Sequence, residues 1–561
     1  MSMKSIPAAP TLMAAGRKSK KSLLVTSAAT LALMMGAVPL SAQAQVVDVT
    51  TCEDLPLENP GTGSTVNVNT NAECTVADGD VIELEDDSQD GVTINIASGT
   101  TLISTDSSDE DTVIFYDNSE NLLTVNIDEG AVLRGENGVI FIEGDETTIT
   151  NNGLIENVGN ASEGAIYYDR DADGEINTLI NNGTITNSGG GPTIGIDSLL
   201  GTDPSSGTVG DEEGIARFTL NNTGIISNTD VDDSDSDAIN FNGDPGSTGG
   251  EDRGCLEQDG AFVLCQFEVD ITNSGTISAA RDNGSNAAIR IEQDAVVSGT
   301  ITNVAGGTII GARNAINVNG AHSSHNLTIT NAGTIEGTSG DGIVITGAGV
   351  TLNNQAGGVI TGGDAGVQVA STAITVDIGP SNVEDFEVLA INNTFTNAGT
   401  ISGGRASFDA SGAGEAITFT QQGGSLIGDF LGTLDFVDTL NFTTSDFVLT
   451  HDILQTVDVF VAEDVTLSFD GARTIDGNLT SDGDLLFNLG NPAVTVAGDV
   501  TLNAGSTVTV TDTNTVSAID QQFTLIDVGG TLTNNSTLVS EIADTSFLLS
   551  LIHISEPTRP Y

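Results

Sequence analysis

The sequence predicts an all-β protein, a right-handed parallel β-helix, and two recurring phrases lead to this prediction. The first phrase reads ITN-x-G-TI, and eight variants of it occur between residues 148 and 403. Each is followed by a second phrase, x-AI-x-(Val/Ile/Phe), as in NAINVNG and DGIVITG. Self-similarity at such intervals indicates a solenoid, and the short β-branched runs divided by Gly and Asn indicate strands rather than helical repeats. We expect the β-helix to run from about residue 65 to residue 530.

The first phrase also predicts the packing of a coil. Its Ile residues alternate with Thr, so Ile faces inward and Thr faces water. The Asn-x-Gly triplet turns the chain, because Asn and Gly tolerate left-handed backbone angles. Stacked coils then align the corner Asn residues in an amide ladder, and only 4% aromatic residues predicts an interior of aliphatic side chains. The predicted core includes Ile277, Ile316, Ile335 and Ile345, and the predicted ladder includes Asn273, Asn303 and Asn331.

Residues 1–44 have the pattern of a secretory signal peptide. A basic segment, RKSKKS, precedes an apolar stretch from Leu23 to Leu40, and Ala42-Gln43-Ala44 is a small-residue cleavage site. The alternative is a transmembrane anchor, although the apolar stretch contains Ser, Thr and Gly. The pattern predicts export, with the mature chain beginning at Gln45.

The charge of the chain excludes one class of partner. Loss of the five basic residues of the signal peptide takes the formal charge from −63 to −68 and leaves ten Arg and no Lys. Such a surface repels nucleic acid, which requires a basic footprint. The acidic stretches at 106–111 and 230–237 are interpreted as solvated loops, with loose calcium binding as the alternative.

One acidic stretch has the spacing of a calcium loop. Asp169, Asp171 and Asp173 alternate and are followed by Gly174. An EF-hand requires Glu where this chain has Ile180, and the flanks resemble strands, so an EF-hand is excluded. A calcium ion bound by an inter-coil loop remains an alternative to a solvated loop, and no other cofactor is indicated.

Four cysteines follow the signal peptide: Cys52, Cys74, Cys255 and Cys265. Export places them in an oxidising compartment, and four cysteines allow three pairings. The pairing of sequence neighbours is favoured, Cys52 with Cys74 at the start of the fibre and Cys255 with Cys265 in a protruding loop. A metal site is disfavoured because no Cys-x-x-Cys motif or adjacent His accompanies them.

Catalytic motifs are nearly absent, which predicts a protein that is not an enzyme. No G-x-S-x-G, H-E-x-x-H or P-loop sequence occurs. His322 and His325 lie in a turn-like segment and are interpreted as surface residues rather than metal ligands. A β-helical lyase or glycosidase would need clustered carboxylates with a basic residue. The nearest approach to such a cluster is Arg281, Asp282, Arg290, Glu292 and Arg313.

The sequence changes character after about residue 430. The ITN-x-G phrases cease, and the stretches AVTVAGDVTLNAGSTVTV and QQFTLIDVGG follow. These stretches resemble the C-terminal junction of autotransporter passengers. The resemblance implies a β-helical passenger at 45–430 and an autochaperone-like junction at 431–548. It also implies that the protein comes from a Gram-negative bacterium and is located at the cell surface or outside the cell. Two partners are implied as well: the protein's own C-terminal outer-membrane barrel and the outer-membrane assembly machinery.

The last residues do not continue this pattern. Residues 549–561 contain LSLIHISEPTR, which looks like the translation of a transposon-end sequencing adapter. We expect this tail to be an artefact and the gene to continue into a barrel of alternating strands.

The sequence therefore predicts a surface-exposed or secreted passenger that acts in adhesion or aggregation, through an unknown surface ligand or through self-association. One alternative is a carbohydrate-active β-helix enzyme, which a carboxylate cluster on adjacent coils beside a groove would favour. Another is a filament of the two-partner secretion type, for which only ENPGTG at 58–63 approaches the usual motif.

Overall fold

The structure, a computed structural model, describes most of the chain between residues 45 and 541. The described residues are 45–77, 79–85, 91–105, 112–116, 122–143, 146–159, 164–168, 176–197, 216–231, 236–242, 265–284, 286–292, 295–319, 325–377, 383–388, 392–489, 491–511 and 523–541. All of them belong to one compact unit, Ala42–Tyr561. The expected signal peptide and the expected artefactual tail lie outside the described residues.

The described residues form a parallel β-helix, which confirms the predicted fold class. One strand of every coil belongs to the first sheet, which has 18 strands and includes the ITN segments. Its strands are Val46–Val49, Thr65–Val68, Thr93–Ile96, Thr124–Ile127, Thr148–Asn151, Ile176–Asn181, Ala216–Asn222, Cys265–Asn273, Ala295–Asn303, Asn326–Asn331, Val350–Asn354, Thr394–Asn397, Thr418–Gln421, Asp438–Phe442, Val457–Val461, Leu479–Ser481, Val500–Leu502 and Leu532–Asn534.

The second sheet has 27 strands, and as far as residue 412 it contains two parallel stacks. The strands after the Asn-x-Gly corner are Glu73–Val76, Thr101–Ser104, Val132–Gly135, Leu154–Asn157, Thr184–Asn187, Ile225–Asn228, Thr276–Ala279, Thr308–Gly311, Thr334–Gly337 and Val359–Gly362. The strands of the answering phrase and their N-terminal equivalents are Leu57–Glu58, Ile82–Leu84, Ile114–Tyr116, Ile140–Ile142, Ile166–Tyr168, Ile194–Asp197, Ile239–Asn242, Ala287–Ile291, Asn314–Val318, Ile343–Ile345 and Ala365–Ala370. Both stacks meet on the long strand Thr400–Gly412.

The coils are rearranged beyond this strand. The second sheet continues with Ser425–Leu431, Ile453–Leu454, Thr474–Ile475, Val494–Val496 and Ile526–Val528. A third, five-stranded parallel sheet begins, with strands Phe447–Leu449, Thr466–Phe469, Asp484–Asn488, Thr507–Thr511 and Thr537–Glu541. The rearrangement coincides with the disappearance of the ITN-x-G phrases near residue 430.

Two small elements complete the described chain. Thr372–Asp377 and Val383–Val388 form an antiparallel hairpin between two coils. A single 3-10 turn, Cys52–Asp54, lies near the start of the β-helix.

Burial alternates along the strands because successive side chains point to opposite faces. In Thr184–Asn187, for example, the two Thr side chains are half-buried while Ile185 and Asn187 are buried. The predicted core residues Ile277, Ile316, Ile335 and Ile345 are all 0% exposed. Each coil therefore closes its apolar interior only by stacking on its neighbours.

The predicted amide ladder is also confirmed. The side-chain Nδ2 of each corner Asn donates to the side-chain oxygen of its counterpart in the next coil, over distances of 2.7–3.0 Å. The ladder comprises Asn151, Asn181, Asn222, Asn273, Asn303, Asn331, Asn354, Asn397 and Gln421. Most members donate a second hydrogen bond to a backbone carbonyl, as Asn303 does to Thr334 at 3.0 Å. A column of buried polar groups is thereby satisfied.

The expectation of a purely aliphatic interior is wrong. Aromatic rings lie inside the β-helix in two runs, in which rings from different strands contact one another edge to face or stacked. The runs are Tyr168–Phe218–Phe241–Phe267 and Phe395–Phe408–Phe419–Phe430. The low fraction of aromatic residues in the sequence therefore did not predict that the few rings would lie together in the interior.

Candidate functional site

The structure describes only part of the predicted metal and disulfide sites. Cys52 and Cys74 form a disulfide that ties the first 3-10 turn to the strand Glu73–Val76. Cys255 and the side chain of Cys265 lie outside the described residues. Asp169, Asp171 and Asp173, the predicted calcium ligands, lie outside them as well.

The two histidines of the turn-like segment have different outcomes. His322 lies outside the described residues. His325 is 4% exposed, so the expectation that it lies on the surface is wrong. Its Nδ1 accepts a hydrogen bond from the backbone N–H of Val297 at 3.1 Å, and burial lowers the pKa of the imidazole to about 4. His325 is therefore a neutral acceptor at the start of its strand.

The predicted arginine cluster is brought together only in part. Arg290 contacts Glu292 at 2.8 Å and also Asp237 at 3.3 Å, a partner that the sequence did not suggest. Arg313 is exposed, and the buried Nε and Nη1 atoms of Arg281 have no hydrogen-bond partner in the described structure. The cluster is thus an ion pair rather than a set of converging catalytic groups.

Asp237 illustrates a structural role for the polar residue that begins the answering phrase. It is 0% exposed, and its Oδ1 accepts the backbone N–H of Ala287 in the next coil at 2.7 Å. Asn314 and Asp341 accept equivalent bonds from the N–H groups of the following coils, at 2.9 and 2.8 Å. Burial outweighs the attraction of Arg290 and raises the pKa of Asp237 to about 7. The same cause raises the pKa of Asp341.

Arginines elsewhere also bridge coils. Arg405 contacts Asp364 at 2.8 Å and Asp409 at 2.5 Å, and these hydrogen bonds raise the pKa of its guanidinium further. Arg134 pairs with Glu156, and Arg217 with Glu268. These cations offset part of the acidic surface and stabilise the stack only modestly where they are exposed.

One carboxylate cluster lies on adjacent coils near the N-terminal end. Glu58 and Glu83 are in register on neighbouring strands, and Glu85 follows directly after the strand of Glu83. Burial, a hydrogen bond with Glu85 and the charges of Asp80, Glu85 and Glu58 raise the pKa of Glu83 to about 7. A carboxyl group that titrates near neutral pH can act as a general acid, so this cluster is the best candidate for enzymatic chemistry in the described chain.

The aromatic residues beside this cluster stack on one another. Phe115, in register with Glu83, stacks on Phe141, which stacks on Tyr167, with ring centroids 5.5 Å apart in both pairs. The ring faces therefore cover one another. The outer face of Tyr167 lies against Gly195, where an added Cβ would be only 2.5 Å from the ring. The faces between these rings, and the face of Tyr167 toward Gly195, are therefore not free for a sugar to stack on.

A second candidate surface lies on the outer side of the first sheet. Over six successive coils the last two outward positions of each strand hold ten Thr and two Asn in total, and we call this surface the threonine face. Its residues are Thr300, Thr302, Thr328, Thr330, Thr351, Asn353, Thr394, Thr396, Thr418, Thr420, Thr439 and Asn441. All are exposed or half-buried.

The threonine face is uncharged, and so are the same two positions of the strands from Thr65–Val68 to Ala216–Asn222 in this sheet. None of its twelve residues is ionisable, although the whole chain carries 78 acidic residues. It ends at Asp270, which accepts a hydrogen bond from Thr300 at 2.9 Å, and at Asp458, which is in register with Thr439. The T-x-T triplets predict outward Thr side chains, but the alignment of these side chains over six coils depends on which strands become neighbours. Strands about 4.8 Å apart arrange the hydroxyl groups in two straight rows.

Comparisons with known proteins add no family to these observations, since neither a family model nor a curated protein matches the chain. Within the described ranges, no helix has the length and hydrophobicity needed to cross a membrane. In the same ranges, no group of three or more His, Cys, Asp or Glu side chains is arranged to hold a metal ion.

Proposed function

We propose that the chain is the exported passenger of a Gram-negative autotransporter and that it acts as a non-enzymatic adhesive protein on the cell surface. The signal-peptide pattern and the junction-like stretches at 431–548 support the autotransporter part of this proposal. The parallel β-helix supports it as well, because such a fibre carries extended surfaces away from its attachment point. Its partners in export would be its own outer-membrane barrel and the outer-membrane assembly machinery.

The threonine face carries the adhesive part of the proposal. Two mature copies, each with a formal charge near −68, repel each other wherever carboxylates face each other. On the threonine face no charge has to be desolvated, which removes the largest cost of close contact. Thr hydroxyl groups both donate and accept hydrogen bonds, so two such faces, or a face and a neutral ligand, can satisfy each other.

The proposal is tested by fusing residues 1–548 to an autotransporter barrel and expressing the fusion in a Gram-negative host. We expect antibody to label intact cells only when the barrel is present, and the labelled cells to aggregate and sediment. Labelling without a barrel would contradict the autotransporter assignment and favour two-partner secretion. Labelled cells that stay dispersed, and that bind no neutral surface, would contradict adhesion.

A pair of matched double variants tests the face itself. Thr396→Asp with Thr420→Asp places two carboxylates on register neighbours within the threonine face. Thr480→Asp with Thr501→Asp places the same charges on register neighbours of the same sheet outside the face. We expect only the Thr396→Asp, Thr420→Asp variant to abolish sedimentation of the cells. Both variants should label the cell surface as strongly as the wild-type fusion. Equal behaviour of the two pairs would show that the threonine face is not the contact surface.

The alternative, a carbohydrate-active enzyme, is favoured by one observation, the raised pKa of Glu83 beside Glu58 and Glu85. Its test is the release of reducing ends from neutral and acidic polysaccharides by the purified chain. Release that is lost in Glu83→Gln and retained in Glu129→Gln, an exposed control, would establish this alternative in place of adhesion alone.

A further inference from the structure

Asn-Gly peptide bonds recur in this chain, and at these bonds the backbone nitrogen of the glycine most readily attacks the side-chain amide of the preceding asparagine. Glycine after asparagine leaves the backbone nitrogen unshielded, because it has no Cβ. Four such pairs are described on both sides: Asn137–Gly138, Asn152–Gly153, Asn182–Gly183 and Asn283–Gly284.

Three of the four glycine N–H groups are directed to other residues. Gly138 donates to the Oδ1 of Asn157 at 3.3 Å, and Gly153 to the Oδ1 of Asn151 at 3.0 Å. Gly183 donates to the carbonyl of Asn151 at 3.0 Å. Each of these nitrogens is held away from the side chain that precedes it.

Two of the asparagine side chains are fixed as well. Asn182 donates from Nδ2 to the Oδ1 of Asn152 at 2.9 Å and accepts the hydroxyl of Thr223 at 2.8 Å. Asn152 also donates to the carbonyl of Ile127 at 3.3 Å. Rotation of either amide toward its own backbone would break these contacts, and Asn137 is only 8% exposed.

The fourth pair has the opposite arrangement. Asn283 and Gly284 are both exposed, and the backbone N–H of Gly284 donates to the Oδ1 of Asn283 itself at 2.8 Å. The nitrogen therefore already contacts the amide group that it would attack. Gly284 has φ +64°, a left-handed backbone angle that favours glycine. A reacting pair held in contact gains rate from proximity.

We infer that Asn283 is a site of spontaneous, fold-directed deamidation. The Gly284 nitrogen loses its proton to solvent base and bonds to Cγ of Asn283. The Cγ–Nδ2 bond breaks, ammonia leaves, and a five-membered succinimide remains. One water molecule then opens the ring, which gives aspartate or isoaspartate at position 283. The net reaction consumes one water and releases one ammonia, and it adds a negative charge beside Asp282.

The experiment uses the full chain, incubated at mildly alkaline pH in water enriched in oxygen-18. Trypsin cleaves after Arg281 and Arg290, which isolates Asn283 in one short peptide, and fragmentation separates it from Asn286. We expect oxygen-18 to enter position 283 at least about tenfold faster than positions 137, 152 and 182. In Asn283→Gln the label at this position should disappear, because glutamine must form a larger ring.

The same time course in guanidinium separates the fold from the sequence. In the unfolded chain all four Asn-Gly pairs should deamidate at similar rates. The inference is overturned if Asn283 is as slow as the other three in the folded chain. It is also overturned if its advantage persists unchanged after unfolding.

Discussion

Single asparagine residues hold successive coils in register. Each ladder amide occupies a buried corner where an unpaired N–H or C=O would cost about 1–3 kcal/mol. The ladder removes this cost, because the donor of one coil faces the acceptor of the next. The same column would be unfavourable in a single coil, so the ladder stabilises the stack and not the isolated repeat.

Removal of one ladder amide should weaken the stack locally. Asn303→Ala deletes the acceptor for Asn273 and the donor to Asn331, both at 2.9 Å. We expect a loss of about 2 kcal/mol, seen as faster hydrogen exchange in strands Ala295–Asn303 and Asn326–Asn331. Asn353→Ala, on the outer face, is the control and should change stability by less than about 0.5 kcal/mol. Equal effects of the two variants would show that the ladder contributes nothing specific.

Buried carboxyl groups predict how stability depends on pH. The pKa of Asp237 is raised from 3.8 to about 7 in the fold, so the folded state holds a proton that the unfolded state releases. The contribution of Asp237 to the free energy of unfolding is therefore greatest below about pH 4. It falls as the pH rises to about 7, by up to about 1.4 kcal/mol per pH unit.

Asp237→Asn should flatten this dependence, because the amide retains an oxygen for the N–H of Ala287 but does not titrate. Glu129→Gln, on an exposed corner, should leave it unchanged. The measurement is denaturant unfolding at a series of pH values. The stability difference between Asp237→Asn and the wild-type chain isolates this group from others that titrate in the same range, such as His325. A difference that stays constant from pH 4 to pH 7 would contradict the assignment.

At the scale of the element, each coil is one repeat of inward Ile, corner Asn and outward Thr. This is why the fold could be predicted: the offset of Ile277 from Asn273 is the same as that of Ile335 from Asn331, so a single phrase specifies core, corner and surface. Local spacing was sufficient for these residues.

Contacts between coils could not be predicted in the same way. Asp237 and Ala287 are separated by 50 residues, and their pairing depends on which strands become neighbours. His325 lies in a polar stretch of the sequence, yet its side chain is buried just before the strand that follows it. The aromatic interior was missed because Phe408 and Phe419 come from different coils and meet only after stacking. Composition carries no information of this kind.

A core substitution should damage one coil and its neighbours. Ile335→Asp would bury an unpaired charge, which costs several kcal/mol. Ile225→Asp is the matched control, since it makes the same replacement in the same stack of strands at a side chain that is 45% exposed. Limited proteolysis should cut near the coil that contains residue 335 and leave the control resistant. Unchanged resistance of Ile335→Asp would show that this position is not in the core.

At the scale of the whole molecule, stacking makes distance along the β-helix depend on the number of coils and not on the number of residues. The chain between Asn353 and Thr396 has an inserted hairpin, whereas the chain between Thr396 and Thr420 does not, yet each pair is in register on adjacent strands. Insertions therefore leave the first sheet, and with it the threonine face, uninterrupted.

The most direct test of this account is a set of distances measured by double electron–electron resonance. Spin labels introduced as non-canonical amino acids leave the native cysteines intact. Labels at 150 and 302 are four strands apart and 152 residues apart in the chain, whereas labels at 396 and 480 are also four strands apart but only 84 residues apart. Both pairs should therefore lie about 19 Å apart. Distances that follow the number of intervening residues rather than the number of strands would contradict the parallel β-helix.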